Sequence, residues 1–308
     1  MSTMPSRAGG TSLPEDARAR LLAGLAVTER RLELAGISTA VLEGGDGPPI
    51  VLLHGPGEFA AKWWRVIPQL VKSHRVVAPD LPAHGASDVP DEPLDATRVL
   101  AWLDDLISRS CPSAPALVGH VLGGAIAARF AIAHTAALSR LVLVDTLGLA
   151  RFRPAPRFGL TLLALQARPS ERSYNRFMRH CSIDLDGLRT QMGERWEPYM
   201  SYSLDLARSP RAKATRSLMR RVGLPPVPAQ DLARITVPTS LIWGRQDEAN
   251  RLRIAQAASE RHGWPLRVIE DCADDPARDR PEAFLRALHL ALGRTITNDE
   301  REGDRDAR

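Results

Sequence analysis

Ala116-Leu-Val-Gly119-His120-Val121-Leu122-Gly123-Gly124 joins a short apolar run to a longer segment, 122–134, that contains no proline. The run at 116–118 is too short for a helix and reads as a strand buried on both faces; the segment after it reads as a helix. The same rhythm recurs outward in both directions. Runs rich in Val, Ile and Leu stand at 50–53, 76–78, 141–144, 240–243 and 266–269, and 61–72, 96–108, 249–261 and 281–292 read as the helices between them. Such alternation predicts an α/β fold, a mostly parallel central sheet with helices on both faces. Ahead of it, 30–35 and 38–42 read as two strands joined at Gly36 in a hairpin.

The alternation lapses between Gly148 and about Ala233, where 158–166 and 188–206 are amphipathic and strand signal is scarce. A helical cap inserted over the strand ends is expected there, closed by the proline-rich 224–228. The expected organisation is therefore an N-terminal extension at 1–27, partly disordered with a short helix at 14–25. A core at 28–147 and 234–294, a helical cap at 148–233 and a disordered mixed-charge tail at 295–308 complete it.

Composition narrows the classes of function. The 308 residues suit one large domain with an insertion, and an apolar fraction of 44% supplies a sizeable core. The net charge of +5 comes from 41 Lys and Arg against 36 Asp and Glu without an unbroken basic block, so no nucleic-acid partner is expected. Between 151 and 221, fifteen basic residues face six acidic ones, a surplus of nine that reads as a solvated outer face. Three scattered cysteines suggest neither a disulfide framework nor a metal site. Glu15 and Asp16 precede the first apolar stretch, unlike a signal peptide, and no apolar run is long enough to span a bilayer. A cytoplasmic protein with a small-molecule ligand and no membrane partner is expected. No phosphate-cradling loop or dinucleotide fingerprint is present, so no cofactor is expected.

Four local sequences carry a resemblance. Val51-Leu-Leu-His54-Gly55-Pro56-Gly57 and Pro79-Asp80-Leu-Pro-Ala-His84-Gly85-Ala-Ser87-Asp88 follow the first two parallel strands. Leu117-Val-Gly119-His120-Val121-Leu122-Gly123-Gly124 follows the third, and Leu241-Ile-Trp243-Gly244-Arg-Gln-Asp247 follows the inserted region. In this order and spacing they resemble the α/β-hydrolase superfamily, in its capped group, from about Arg30 to Leu292.

The resemblance identifies 119–123 as the turn that presents a nucleophile, with Val121 at its centre. Valine has no lone pair with which to attack a carbonyl. The flanks Val268-Ile-Glu-Asp271-Cys-Ala273-Asp274-Asp275-Pro276 put Asp274 at the histidine position. An aspartate shuttles protons near neutral pH only if its pKa is raised well above about 3.9. Asp247 matches the acid position, and Asp145 stands where some relatives carry the acid instead. Of the two oxyanion donors the resemblance implies, Leu122 keeps its N–H, whereas Pro56 has none to give, a loss of about 10²–10³ in rate. Conventional serine hydrolysis is excluded at these positions.

Asp247 and Asp274 are expected to lie close together, with one of them protonated. Gly57 and Glu58 flank the oxyanion side of the pocket; Glu58 reads as a surface glutamate on a loop. His54, His84 and His120 read as structural, Cys272 as a small buried thiol, and Trp63 and Trp64 as packing residues. Three carboxylates can bind a divalent cation, but nothing in the spacing demands one. Three functions follow in order: a non-hydrolytic lyase, isomerase or cyclase using carboxylates; a ligand-binding pseudoenzyme; and an ester or epoxide hydrolase with an unrecognised nucleophile.

Overall fold

The computed structural model describes residues 13–293; the expectations for 1–12 and 294–308 lie outside the described residues. Eight strands form one sheet: β1 (Thr28–Leu34), β2 (Ile37–Gly44), β3 (Pro49–Leu53), β4 (Arg75–Pro79), β5 (Ala116–His120), β6 (Arg140–Val144), β7 (Thr239–Gly244) and β8 (Leu266–Ile269). They lie in the order β1-β2-β4-β3-β5-β6-β7-β8. The β1–β2 and β2–β4 pairs are antiparallel and the others parallel.

Side chains alternate across this sheet with the two-residue period of a strand. Val51 and Leu53 join Trp102, Leu103 and Phe130 on one face, while Ile50 and Leu52 join Trp63, Ile67 and Phe284 on the other. Every residue of β3, β5 and β7 is buried, which explains why these strands read as continuous apolar runs. The register sets Leu53 beside Gly119 and Gly119 beside Leu143, so the carboxyl ends of the central strands finish level. The loops that follow them meet above one edge, where open α/β sheets bind ligands.

Between β6 and β7 the chain forms helices Pro156–Ala167, Glu171–Cys181, Leu185–Met192, Trp196–Arg208 and Ala212–Leu218. Ser170 and Ser173 cap the second of them reciprocally. Buried side chains of the first four helices pack with Phe59 and with Ala17 and Leu21 of the N-terminal helix Leu13–Leu22, whereas Leu218 of the fifth joins the core that holds Trp102 and Phe130.

Local chemistry moved several boundaries. The helix expected at 61–72 is a 3₁₀ turn, Ala60–Arg65, then a short helix, Ile67–Leu70. Pro68 has no N–H with which to continue the earlier ladder. The segment 188–206 breaks at Gly193, whose φ is +52°. The helix expected from 249 begins at Leu252, because the Ala249 and Asn250 N–H groups both donate to Asp247 Oδ1.

Candidate functional site

Val121 occupies the sharp turn between β5 and helix Leu122–Ala133, with φ +47° and ψ −100°. The turn is held by its backbone. Val121 N–H donates to Val144 O at 3.0 Å and Gly123 N–H to His54 O at 3.1 Å, and Val121 O accepts from the Ala125 and Leu147 amides. A Cβ at Gly123 would overlap the Leu53 carbonyl, so the helix start sits against β3 in a way only glycine permits. A positive φ at a β-branched residue costs about 1–3 kcal/mol. The Val121 side chain packs on Ala125 and Leu147, with Phe152 and Met219 beyond.

Above this turn lies a cavity of about 430 Å³. Phe158, Leu162, Leu165 and Phe177 from the inserted helices, with Phe152 from the loop before them, supply its apolar wall. Its floor is Val121, His120, Glu58, Asp274, Cys181 and Arg278.

Carboxyl groups crowd beneath one side of that floor. Asp145 is fully buried and Asp247 nearly so. Asp145 Oδ1 accepts from Gly244 N–H at 2.9 Å, and Asp247 Oδ1 from Ala249 and Asn250 N–H at 2.6 and 2.8 Å. Neither Oδ2 has a partner when both groups are ionised, and a hydrogen bond joins the two carboxyls once one carries a proton. Burial, and then the charge of Asp247, pushes Asp145 well above the carboxylate range. Burial is also the main cause that raises Asp247 to about 7. Asp274, which lines the cavity, is pushed up to about 8 by burial and then by Asp247. At neutral pH it is mainly a carboxylic acid.

Glu58 shows the opposite shift. Burial opposes its charge, but Lys62 and then His120 outweigh that and hold Glu58 well below the usual range. Its Oε2 accepts from Gly55 N–H at 2.7 Å and lies 3.4 Å from Lys62 Nζ. Lys62 is 1% exposed and also meets Asp275 at 3.1 Å and the Trp63 ring face at 4.6 Å. His120 Nε2 lies 2.7 Å from the Asp274 carbonyl, which can only accept, so Nε2 carries the proton. Its Nδ1 lies 2.7 Å from Lys62 Nζ and 3.3 Å from Glu58 Oε2. His120 thereby ties the Asp274 loop to the turn beside Val121.

The structure places Pro56, Gly57, Glu58, Val121 and Asp274 together on the cavity, whereas the Leu122 side chain is in the core. Asp247 is not on the cavity surface; it lies behind Asp274 and acts on it through charge. The expectation of a surface Glu58 is corrected: its side chain is 17% exposed and anchored by Lys62 and Gly55. His54 is buried and structural, its Nε2 accepting from Leu81 N–H at 2.9 Å. Trp63 is fully buried away from the cavity, and Cys272 is a buried thiol. Among the described residues no group of three His, Cys, Asp or Glu is placed to hold a metal ion.

Sequence reasoning missed Lys62, Cys181 and Arg278. A lysine inside Ala60-Ala-Lys62-Trp63-Trp64 was the available signal, since a cation amid large apolar residues needs buried partners. Arg278 is 4% exposed and pairs with Asp275 at 3.3 Å, its pKa driven upward by neighbouring aspartates against the effect of burial.

Comparison with known proteins agrees with this architecture. The chain is 26% identical over 280 residues to 2-hydroxy-6-oxo-6-(2'-aminophenyl)hexa-2,4-dienoic acid hydrolase of Metapseudomonas resinovorans, covering 87% of this chain and 92% of that one. It superimposes on 2-hydroxy-6-oxo-6-phenylhexa-2,4-dienoate hydrolase from Rhodococcus sp. strain RHA1 with a TM-score of 0.75 at 22% identity, over 86% of this chain and 98% of that one. A bacterial membrane phospholipase A gives a TM-score of 0.77 at 23% identity, over 91% and 90% of the two chains. Residues 50–287 match the alpha/beta hydrolase family, and over that span, well beyond half its length, the chain belongs to it.

Proposed function

We propose that Val121 and Asp274 stand in place of the family's serine and histidine, and that the protein is an acid-initiating enzyme of lyase, isomerase or cyclase type. It would act on a small, mostly apolar organic molecule under a helical cap at 148–233. The observation that carries this reading is the contrast between Asp274 and Glu58 on one cavity floor. The first holds a proton to about pH 8, and the second is ionised throughout the neutral range. Carboxyls driven apart by their surroundings divide acid and base roles.

In this reading Asp274 donates its proton to an oxygen or double bond of the ligand. The ionised Glu58 is too acidic to be a strong base and stabilises the positive charge that develops. Phe152, Phe158 and Phe177 add aromatic rings to the cavity wall. Asp247 is a positioning residue, which sets the Asp274 pKa from behind. Serine-type acyl transfer is not supported, because Val121 offers only methyl groups and Pro56 no N–H.

The test has two parts. A fluorophosphonate probe should leave the wild-type protein unlabelled, and p-nitrophenyl butyrate turnover should be the same in wild type and Asp274→Asn. Labelling, or ester turnover lost with Asp274, would sink the reading. Metabolite extracts incubated with each protein and compared by mass spectrometry should then yield an Asp274-dependent product of unchanged mass or of lower mass after elimination. A second reading, hydrolysis by a carboxylate, is favoured by the relatives' names; it predicts a product heavier by one water. A pseudoenzyme predicts no product at all.

A further inference from the structure

Helix Pro156–Ala167 has no charged residue after Arg157 and is apolar on both of its faces. Phe158, Leu162 and Leu165 face the cavity. On the other side, Leu160 and Leu163 are 67% and 62% exposed, with Ala164 and Ala167 also exposed beside them. These positions follow the three-and-four spacing of a single helix stripe. Leu160 and Leu163, one turn apart on this stripe, form a small exposed apolar patch.

Exposed arginines surround the stripe. Arg153 and Arg157 precede it, Arg168 follows it, and Arg172 and Arg176 lie along the exposed side of the next helix, Glu171–Cys181. Glu171 is the one acidic residue in this stretch of sequence from 151 to 183. Arg216 and Arg220 both line the cavity and are exposed. Seven arginines against the single Glu171 between 151 and 183 identify the occupant. A second copy docking through this face would set two such surpluses against each other. An anionic surface with an apolar interior would satisfy both the arginines and the leucines.

We infer that this face docks peripherally on an anionic lipid surface, with Leu160 and Leu163 entering the headgroup–acyl boundary and the arginines on the headgroups. The contact lies on the surface rather than across it, since no helix among the described residues is long and apolar enough to cross a membrane. It revises the expectation of no membrane partner and stands independently of the acid chemistry proposed for Asp274. One helix would separate the lipid from the cavity, so an amphiphile could pass from one to the other without crossing bulk water.

The experiment is co-flotation of the full chain with vesicles of phosphatidylcholine alone, or of equal parts phosphatidylcholine and phosphatidylglycerol, at low and high salt. The protein should float with the anionic vesicles and be largely released by salt. The pair Leu160→Asp and Leu163→Asp should lower the bound fraction at least about tenfold. Both side chains are exposed, and an unchanged melting temperature confirms that the variant is folded. Replacing Arg153, Arg157 and Arg168 with Gln should remove the preference for anionic over neutral vesicles while leaving the leucines in place. No flotation, or equal flotation on both vesicles that ignores the leucine pair, would overturn the proposal. So would a concentration-dependent dimer in sedimentation that the leucine variant abolishes, which would assign the face to a second copy.

Discussion

The turn at Val121 and the loop at Asp274 face each other across one cavity floor, yet they are maintained by different physics. The turn is a backbone construction. Its shape comes from amide hydrogen bonds to Val144 and His54 and from the space left by Gly123, none of which involves the central side chain. A valine can stand there and the turn persists. The loop is an electrostatic construction, in which Asp274, Asp275 and Asp279 sit around Arg278, with Lys62 and His120 on the near side. Change one charge and its neighbours must alter their protonation. A change of side chain at the centre of the turn leaves these backbone bonds in place, whereas loss of a loop cation takes a partner from several carboxyls at once.

The harshest way to break that contrast is at Lys62. It is 1% exposed and stands between Glu58 and Asp275. Lys62→Ala takes the buried cation from between Glu58 and Asp275, leaving Asp275 with Arg278 alone, and removing one partner of a buried pair costs about 3–5 kcal/mol. Urea denaturation at pH 7 measures it. A loss below about 1 kcal/mol would mean that water reaches this cluster and that its charges are not what holds the loop.

A gentler test asks whether the turn is still competent. Val121→Ser alone should gain no activity on p-nitrophenyl butyrate, because an Asp274 that is already protonated cannot accept the serine proton. Adding Asp274→His should raise turnover over the single variant by about 10²-fold, the lower end of general-base assistance. It should stay well short of a working hydrolase, since Pro56, at the position proposed for an oxyanion donor worth about 10²–10³, has no N–H to give. Equal rates in the single and double variants would show that the turn does not hold a serine in attacking geometry.

The two regions also differ in how far sequence revealed them. Gly119 to Gly123 could be read directly, because the strand, the turn and the following helix are set by residues within a few positions of one another. The position of Asp274 followed from its flanks, and its nearness to Asp247 predicted that one of the two is protonated, but not which one. That depends on how deeply each is buried and on Asp247, which lies 27 positions away in sequence and is brought near by the β7–β8 pairing. Glu58 was misread for the same reason. Nothing local distinguishes a loop glutamate in solvent from one bonded to Gly55 and covered by a lysine on the following turn. The cavity wall was least legible, since amphipathic periodicity shows that a helix buries a face without showing what that face covers.

The smallest expected effect sharpens the comparison most, because it separates charge from shape. Asp247→Asn keeps the Oδ1 that accepts from Ala249 and Asn250. It replaces the unpartnered Oδ2 with a donor facing Asp145. Folding raises Asp247 to about 7 and Asp274 to about 8 from an ordinary 3.8, so the native protein holds these protons to higher pH than the unfolded chain does. Their stabilising influence is therefore complete below about pH 4 and is lost progressively as pH rises toward 8. The wild type should melt lower at pH 8 than at pH 5. Asp247→Asn should flatten that slope and be the more stable protein at pH 8 by about 1–2 kcal/mol, with the difference closing near pH 4. If Asp274 takes part of its shift from the Asp247 charge, an NMR titration of its side-chain carboxyl carbon should fall from about 8 toward the normal range in this variant. A carboxyl whose pKa stayed put would owe its shift to burial alone, and the loop would then be, like the turn, a matter of shape.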